Sequence, residues 1–388
     1  MDEQTSGLVP RLRFPEFREA GEWEKLFGDA LFEQVSNKKH NSDLPILAIT
    51  QEHGAIPREL IEYHVSVNDK SVSSYKVVEV GDFIISLRSF QGGIEYSKYR
   101  GLCSPAYIIL RQRSNTSSEF FKSYFKTTGF IRNLTRNLEG IRDGKMVSYK
   151  QFSEVPLPVP ALEEQQKIAA CLSSLDALIA AQADKLDALK THKKGLMQQL
   201  FPREGETVPR LRFPEFREAG EWSLRTLNEF ISERSQLPME KIPLYSLTIE
   251  DGIAPKTERY ERSFLVKNEA EAYKLVEPND FAYNPMNLRF GAIARHSGGH
   301  NVAVSKYYNV FYCDSSVDPR FCELYFQSPR MIAYYDDVAI GSLVEKRRVH
   351  FGDFLKFEIV FPSLEEQQKI AACLSSLDAL IAAQADKL

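Results

Sequence analysis

Two stretches of this chain occur twice without a single change, and that repetition restricts the possible folds more than any local pattern does. Val9 to Trp23 (VPRLRFPEFREAGEW) returns at Val208 to Trp222, and Leu162 to Leu186 (LEEQQKIAACLSSLDALIAAQADKL) returns at Leu364 to Leu388. The offsets of 199 and 202 residues are too long for a solenoid or propeller repeat and suit a duplicated domain. At about 100–200 residues per domain, a chain of 388 residues holds two such units.

Between the identical blocks the units diverge, but a common skeleton survives. Tyr75 to Phe83 (YKVVEVGDF) aligns with Tyr273 to Phe281 (YKLVEPNDF), Gly92-x-Ile94 with Gly291-x-Ile293, and Leu44 to Thr50 with Ile242 to Thr248. Identical ends around dissimilar middles suggest ends that dock one partner twice and middles that read two different targets. Recombination without functional consequence would leave the same trace. Runs such as Phe83 to Leu87, Tyr107 to Leu110 and Tyr307 to Tyr312 are short, β-branched or aromatic, and predict strands. Glu119 to Asn133 and Phe321 to Tyr335 read as helices. Pro156-x-Pro158-x-Pro160 predicts an extended segment, because proline disfavours helix at the residue before it.

After each proline-marked stop a long helix is expected, with Glu163 and Glu164 at its positive end. In the second copy Ser363 and Glu366 have capping-box spacing. Ile168, Leu172, Leu175, Ile179, Gln182, Leu186, Leu189, Lys193, Leu196 and Leu200 alternate steps of four and three, a heptad seam with two polar interruptions. Ile370, Leu374, Leu377, Ile381, Gln384 and Leu388 repeat it. A single amphipathic helix lying on its own domain fits this spacing as well. Two such helices in one chain favour an intramolecular coiled coil, and pairing would give the tandem repeat a pseudo-twofold axis. The first connector runs on through Lys193-Lys194-Gly195 to Phe201-Pro202 and the second stops at Leu388, so pairing at that end is expected to be incomplete.

Net charge and cysteine usage narrow the class. A formal net charge of −4 excludes a wholesale basic protein, so any nucleic-acid surface must be local. The N-terminus lacks the features of a signal peptide, and no apolar run approaches the ~18 residues of a membrane span. The five cysteines, Cys103, Cys171, Cys313, Cys322 and Cys373, form no CxxC pair, which favours a reducing cytoplasm over a disulfide framework or a zinc site. Catalytic signatures are incomplete. Asn284-Pro285-Met286-Asn287 lacks the second proline and the aromatic of an amino-methyltransferase motif, and Gly140-x-x-x-Gly144-Lys145 is one residue short of a P-loop. No catalytic residue, metal site or cofactor is therefore expected in this chain.

Local charge points to DNA. From Ser86 to Lys150 twelve Lys or Arg stand against four acids, and no acid occurs from Phe281 to Cys313. Cations interleaved with Gln, Asn, Ser and Tyr provide both phosphate positioning and base-edge reading. The expected DNA-binding residues are Arg88, Ser89, Gln91, Lys98, Arg100, Arg142 and Lys145 in the first unit. In the second they are Asn287, Arg289, Arg295, His296, Lys306, Lys346, Arg347 and Arg348. The residues expected to pair the helices are Ile168, Leu172, Leu175, Ile179, Leu186, Ile370, Leu374, Leu377 and Ile381.

Three features together resemble the specificity subunit of type I restriction-modification systems. They are Pro-x-Leu-Arg-Phe-Pro-Glu-Phe at Pro10 and Pro209, the Gly-Asp-Phe entry at Gly81 with its variant Asn279-Asp280-Phe281, and the Glu-Gln-x-x-Ile-Ala signature after Leu162 and Leu364. The resemblance implies an α+β protein with two mixed α/β target-recognition domains separated by long helices that form an antiparallel coiled coil. Its expected parts are an N-terminal repeat block (1–23), the first recognition domain (24–161), a central connector (162–207), the second block and recognition domain (208–363) and a short C-terminal connector (364–388). It implies partners too: double-stranded DNA with a bipartite target, two methyltransferase subunits using S-adenosylmethionine, and restriction/translocase subunits using ATP and Mg. A free-standing two-domain DNA-binding regulator or scaffold that homodimerises through its coiled coil is the alternative. An adenine methyltransferase in its own right is weaker still.

Overall fold

The computed structural model of the chain describes residues 8–388 except 42, 62–68, 114–115, 137–146, 240–241, 257–271 and 342–346. It divides into two compact units, Met1–Ile179 and Ala180–Leu388.

In unit 1 the order is β1 (Glu24–Phe27), α1 (Gly28–Leu31), β2 (Phe32–Val35), β3 (Leu47–Thr50), β4 (Gly54–Pro57), β5 (Lys76–Val78), β6 (Phe83–Ile85), α2 (Ser89–Gly92), β7 (Glu95–Tyr96), β8 (Gly101–Cys103), β9 (Ile108–Gln112), α3 (Ser118–Tyr124), α4 (Thr128–Thr135), α5 (Tyr149–Ser153) and β10 (Pro156–Val159). A four-stranded antiparallel sheet, β2-β9-β6-β7, forms its centre. Phe32, Phe83, Phe121, Phe125, Phe130 and Phe152 pack on one face of it, beneath α3 and α4. The prolines of β10 are accommodated because that strand pairs only with β1, leaving the proline edge free.

Helix α6 (Leu162–Leu200) begins in unit 1 and ends in unit 2. Unit 2 continues with β11 (Ser223–Thr226), β12 (Ile231–Glu233), β13 (Tyr245–Thr248), β14 (Gly252–Pro255), β15 (Tyr273–Val276), β16 (Phe281–Tyr283), β17 (Ile293–Arg295), β18 (Val302–Ser305), β19 (Asn309–Cys313), α7 (Pro319–Phe326), α8 (Pro329–Val338), α9 (Phe351–Phe354), β20 (Glu358–Phe361) and α10 (Leu364–Ala385). Its sheet order, β12-β19-β16-β17, repeats that of unit 1 strand for strand, and the flanking pairs β11-β20, β13-β14 and β15-β18 match as well. The divergent middles therefore share one fold.

Each expected middle helix is in fact two. Thr127 accepts from Phe130 N–H and starts α4 afresh, while Ser328 accepts from Met331 N–H ahead of Pro329 and starts α8. A capping hydroxyl plus a helix-opening proline favours a new N-terminus over continuation. Ser363 caps α10 as expected, but Glu366 does not reach back to it, because Arg212 engages both its carboxylate oxygens.

Within unit 2 the end of α6 runs antiparallel to α10. Gln182 meets Gln384, whose Nε2 donates to the Gln182 carbonyl at 3.0 Å, and Lys193 meets Asp378 at 2.5 Å. Leu196, Met197 and Leu200 pack with Ile370, Leu374 and Leu377. Half of the expected seam is thus in place. The other half is not: Leu172, Leu175 and Ile179 are exposed. Leu374 is 0% exposed and Leu172, the same residue of the same repeated sequence, is 37% exposed. Leu374→Ala should therefore cost about 2–5 kcal/mol of unfolding free energy by chemical denaturation. Leu172→Ala should stay within about 0.5 kcal/mol of the parent.

Candidate nucleic-acid interface

The Gly-Asp-Phe segment builds the floor of the site. In unit 1 Asp82 accepts from Glu79 N–H and takes a two-pronged bond from Arg111 on β9, both prongs at 2.8 Å. In unit 2 Asp280 accepts from Glu277 N–H and is gripped by Arg234. Burial pushes the Asp280 carboxyl up from its ordinary range, against the pull of Arg234. The turn needs a left-handed residue just before the aspartate. Gly81 has φ +95° and Asn279 has φ +70°, which explains why asparagine is the variant found there. These carboxylates lock a turn and are not available to a ligand.

The strand that follows opens into a loop in each unit. After β6 the chain turns through 86–92, where Leu87, Arg88, Phe90 and Gln91 are exposed. Gln51, at the tip of the β3-β4 hairpin, donates to the Arg88 carbonyl and lies against Gly92. Lys126 braces the loop from below, bonding the Gly92 carbonyl at 3.1 Å and Glu95 at 2.5 Å. Glu95 is 2% exposed, and burial raises its pKa more than Lys126 lowers it. In unit 2 the equivalent loop, 284–290, exposes Asn287 and Phe290, and Ala294 takes the sheet position of Glu95. The same scaffold thus carries loops of different chemistry.

The expected DNA-binding residues separate into distinct groups. Arg88, Gln91, Lys98, Asn287 and Lys306 are exposed, and the cations among them have no ion-pair partner among the described residues. Arg100 is exposed but paired with Glu79 at 3.0 Å. Ser89 is buried, accepting from Ser86 N–H inside the loop, and His296 is buried with its Nε2 bonded to the His300 carbonyl. Arg289 and Arg347 both bond Asp336, Arg347 also bonding the Ala339 carbonyl, and Arg295 pairs with Glu323 at 3.0 Å. Arg348 is half-buried, and its backbone bridges Ile340. The side chains of Ser89, Arg289, Arg295, His296 and Arg347 thus hold the fold together. Arg142, Lys145 and Lys346 lie outside the described residues.

The same paired charges govern a cavity of about 440 Å³ in unit 2, between the β13-β14 hairpin tip and β17. Its lining includes Glu250, Asp251 and Glu323, with Arg295 already neutralised by Glu323. Phosphate would meet unbalanced carboxylates there.

Sequence reasoning missed the residues that clip each recognition domain to its helix. Gln165 Nε2 donates to the Pro160 carbonyl and its Oε1 accepts Ser117 N–H, both at 2.8 Å. Gln367 does the same with Pro362 and Asp318. Arg13 grips Glu164 with two bonds of 2.7 Å, and Arg212 grips Glu366 likewise. Lys167 and Lys369 pair with Glu16 and Glu215 and lie over the rings of Phe14 and Phe213. The only available signal was that both partners of each ion pair belong to the identical blocks. No group of three or more metal-ligating side chains gathers among the described residues, where no helix is long and apolar enough to cross a membrane.

With this architecture in view, comparison with known proteins gives a consistent result. The family described as type I restriction modification DNA specificity domain matches residues 25–191 and 309–388, and the chain belongs to that family. The MjaVIII type I restriction enzyme specificity subunit of Methanocaldococcus jannaschii is 23% identical, over 95% of this chain and 88% of its own. A putative MjaX specificity subunit of the same organism is 24% identical, over 93% and 88%. Among solved structures, the HsdS subunit of Thermoanaerobacter tengcongensis aligns over 97% of this chain and 93% of its own, with TM-score 0.51 and 16% identity. A chain from a structural study of complex assembly and conformational transition in the type I R-M system covers 97% and 95%, with TM-score 0.55 and 16% identity. Both share the fold.

The sorting of cations has a direct consequence. Replacing Arg88 and Lys98 together by Ala should flatten the salt dependence of DNA binding, by about one unit of log–log slope for each phosphate that the pair neutralises. Arg347→Ala should instead lower the melting temperature, because its guanidinium ties 336–339 together. Fluorescence anisotropy at several salt concentrations and thermal melts check the pair.

Proposed function

We propose that this chain is the DNA-targeting subunit of a type I restriction-modification complex, with each recognition domain reading one half of a bipartite duplex site. One observation carries the reading: two domains of identical strand order present equivalent loops, 86–92 and 284–290, with different exposed side chains. A shared scaffold with unlike loops is what independent reading of two half-sites requires. Exposed Arg88, Lys98 and Lys306 would contact phosphate, while Gln91 and Asn287 have the amide chemistry that reads base edges.

In this reading the chain performs no chemistry. Two methyltransferase subunits bring S-adenosylmethionine, restriction/translocase subunits bring ATP and Mg, and the complex works in the cytoplasm. The repeated blocks spend Arg13, Glu164 and Gln165 internally. Their exposed residues, such as Arg11, Glu163 and Gln166, remain for docking the modification subunits. Pairing of the end of α6 with α10 inside one chain favours this over a regulator homodimerising through its helices.

Exchanging 24–160 for the corresponding region of a relative tests the modular reading. Mapping methylated adenines in cells carrying the chimaera should reveal a new sequence in one half-site and the parental sequence in the other. Change in both halves, or in neither, overturns it.

A further inference from the structure

The loops 86–92 and 284–290 correspond position by position, although their residues differ. Each makes one helical turn behind a residue of the same backbone conformation: Arg88 has φ −112° and ψ 6°, Asn287 has φ −106° and ψ 2°. Gln91 N–H donates to the Arg88 carbonyl and Phe290 N–H to the Asn287 carbonyl, both at 2.9 Å, and a glycine follows in each unit. Phe290 therefore stands where unit 1 has Gln91. The hairpin tips correspond as well. Thr50 Oγ1 accepts His53 N–H at 3.0 Å and Thr248 Oγ1 accepts Asp251 N–H at 2.9 Å, which puts Ile249 where unit 1 has Gln51. Two amides of unit 1 are thus replaced by two apolar side chains in unit 2, on two separate elements.

The two replacements meet. Ile249 and Phe290 line the same cavity and are 55% and 53% exposed, so covering them with an apolar group is favourable. Glu250 and Asp251 line that cavity beside them and repel phosphate, which leaves a base edge as the part of a duplex that fits there. Among the base edges of the major groove only thymine carries an apolar group, its 5-methyl. Insertion between base steps is the other use of an exposed ring at a DNA surface. Phe290 is not built for it. The Arg289 guanidinium covers one face of the ring at 4.3 Å, and Asp336 holds that guanidinium at 3.0 Å. A ring with one face occupied cannot lie between two bases, but its free face and edge can seat a methyl group.

We propose that Ile249 and Phe290 are specificity-determining residues that seat the 5-methyl group of a thymine in the half-site read by unit 2. Arg289 acts on the base only through Phe290, by fixing the plane of its ring. Unit 1 has Gln51 and Gln91 at the matching places, and Gln51 is spent on the Arg88 carbonyl, so no methyl seat forms at those two positions. The inference rests on the DNA-reading role proposed above and adds which base edge unit 2 selects.

The half-site of unit 2 is the one that exchange of 24–160 leaves unchanged. Replacing each of its thymines in turn by deoxyuridine removes one methyl group and leaves base pairing intact. Fluorescence anisotropy with the full chain, purified with its modification subunits, should find one thymine whose replacement weakens binding about fourfold, as expected for one buried methyl-sized group. Ile249→Gln with Phe290→Gln should bind the thymine and deoxyuridine duplexes equally, while Phe290→Leu should keep the preference for thymine. Both residues are exposed, so the double variant should keep the parental melting temperature. Three outcomes overturn the inference and leave the DNA-reading role standing: a unit 2 half-site without thymine, indifference to deoxyuridine at every thymine, and a preference for thymine that the double variant retains. Absence of any selected half-site would overturn that role, and the inference with it.

Discussion

The rest of the structure depends on a buried ion pair made twice. Arg13 with Glu164, and Arg212 with Glu366, join the segment that opens each unit to the helix that closes it, across more than a hundred and fifty residues of sequence. The Arg212 guanidinium, bonded by Glu366, is held above its ordinary pKa despite its burial. Such pairs contribute little net stability over a well-packed apolar alternative, but losing one partner strands a buried charge. What they provide is geometry. With Gln165 and Gln367 clipping the start of α3 and α7, they fix where each recognition domain sits on its helix. This internal role accounts for the return of Arg13, Glu164 and Gln165 as Arg212, Glu366 and Gln367.

With the ends fixed, the middles are free to vary. The sheet order is retained, the aspartate at the strand entry is retained, and the left-handed position before it accepts either glycine or asparagine. Change is concentrated where the backbone leaves the sheet. Even beneath the loop the two units differ, with Glu95 and Lys126 bracing one and Ala294 in the other. A buried carboxylate at one position and a methyl group at its equivalent show that the supports, as well as the exposed tips, have diverged.

Much of this was legible in the sequence. The repeat gave two equal units, short β-branched and aromatic runs beside helical stretches gave mixed α and β, and the heptad spacing gave the packing of the end of α6 on α10. The break at Ser328-Pro329 was missed, since one helix was expected over Phe321 to Tyr335, although a capping residue followed by a helix-opening proline was there to mark it. The DNA surface was only half legible. Counting cations cannot show which are spent, because their partners lie far off in sequence: Arg111 reaches back to Asp82, Arg295 reaches Glu323, and Arg289 reaches Asp336. His296 carried no sign that its ring closes a local turn. The bare half of the seam was hidden for the same reason, since identical residues are buried or exposed according to what the fold brings to them.

Selection of duplexes from a random-sequence pool by this chain, purified with its modification subunits, tests the account most directly. Two fixed half-sites separated by a non-specific gap of constant length are the predicted result. A single contiguous motif, or no enrichment at all, would contradict it.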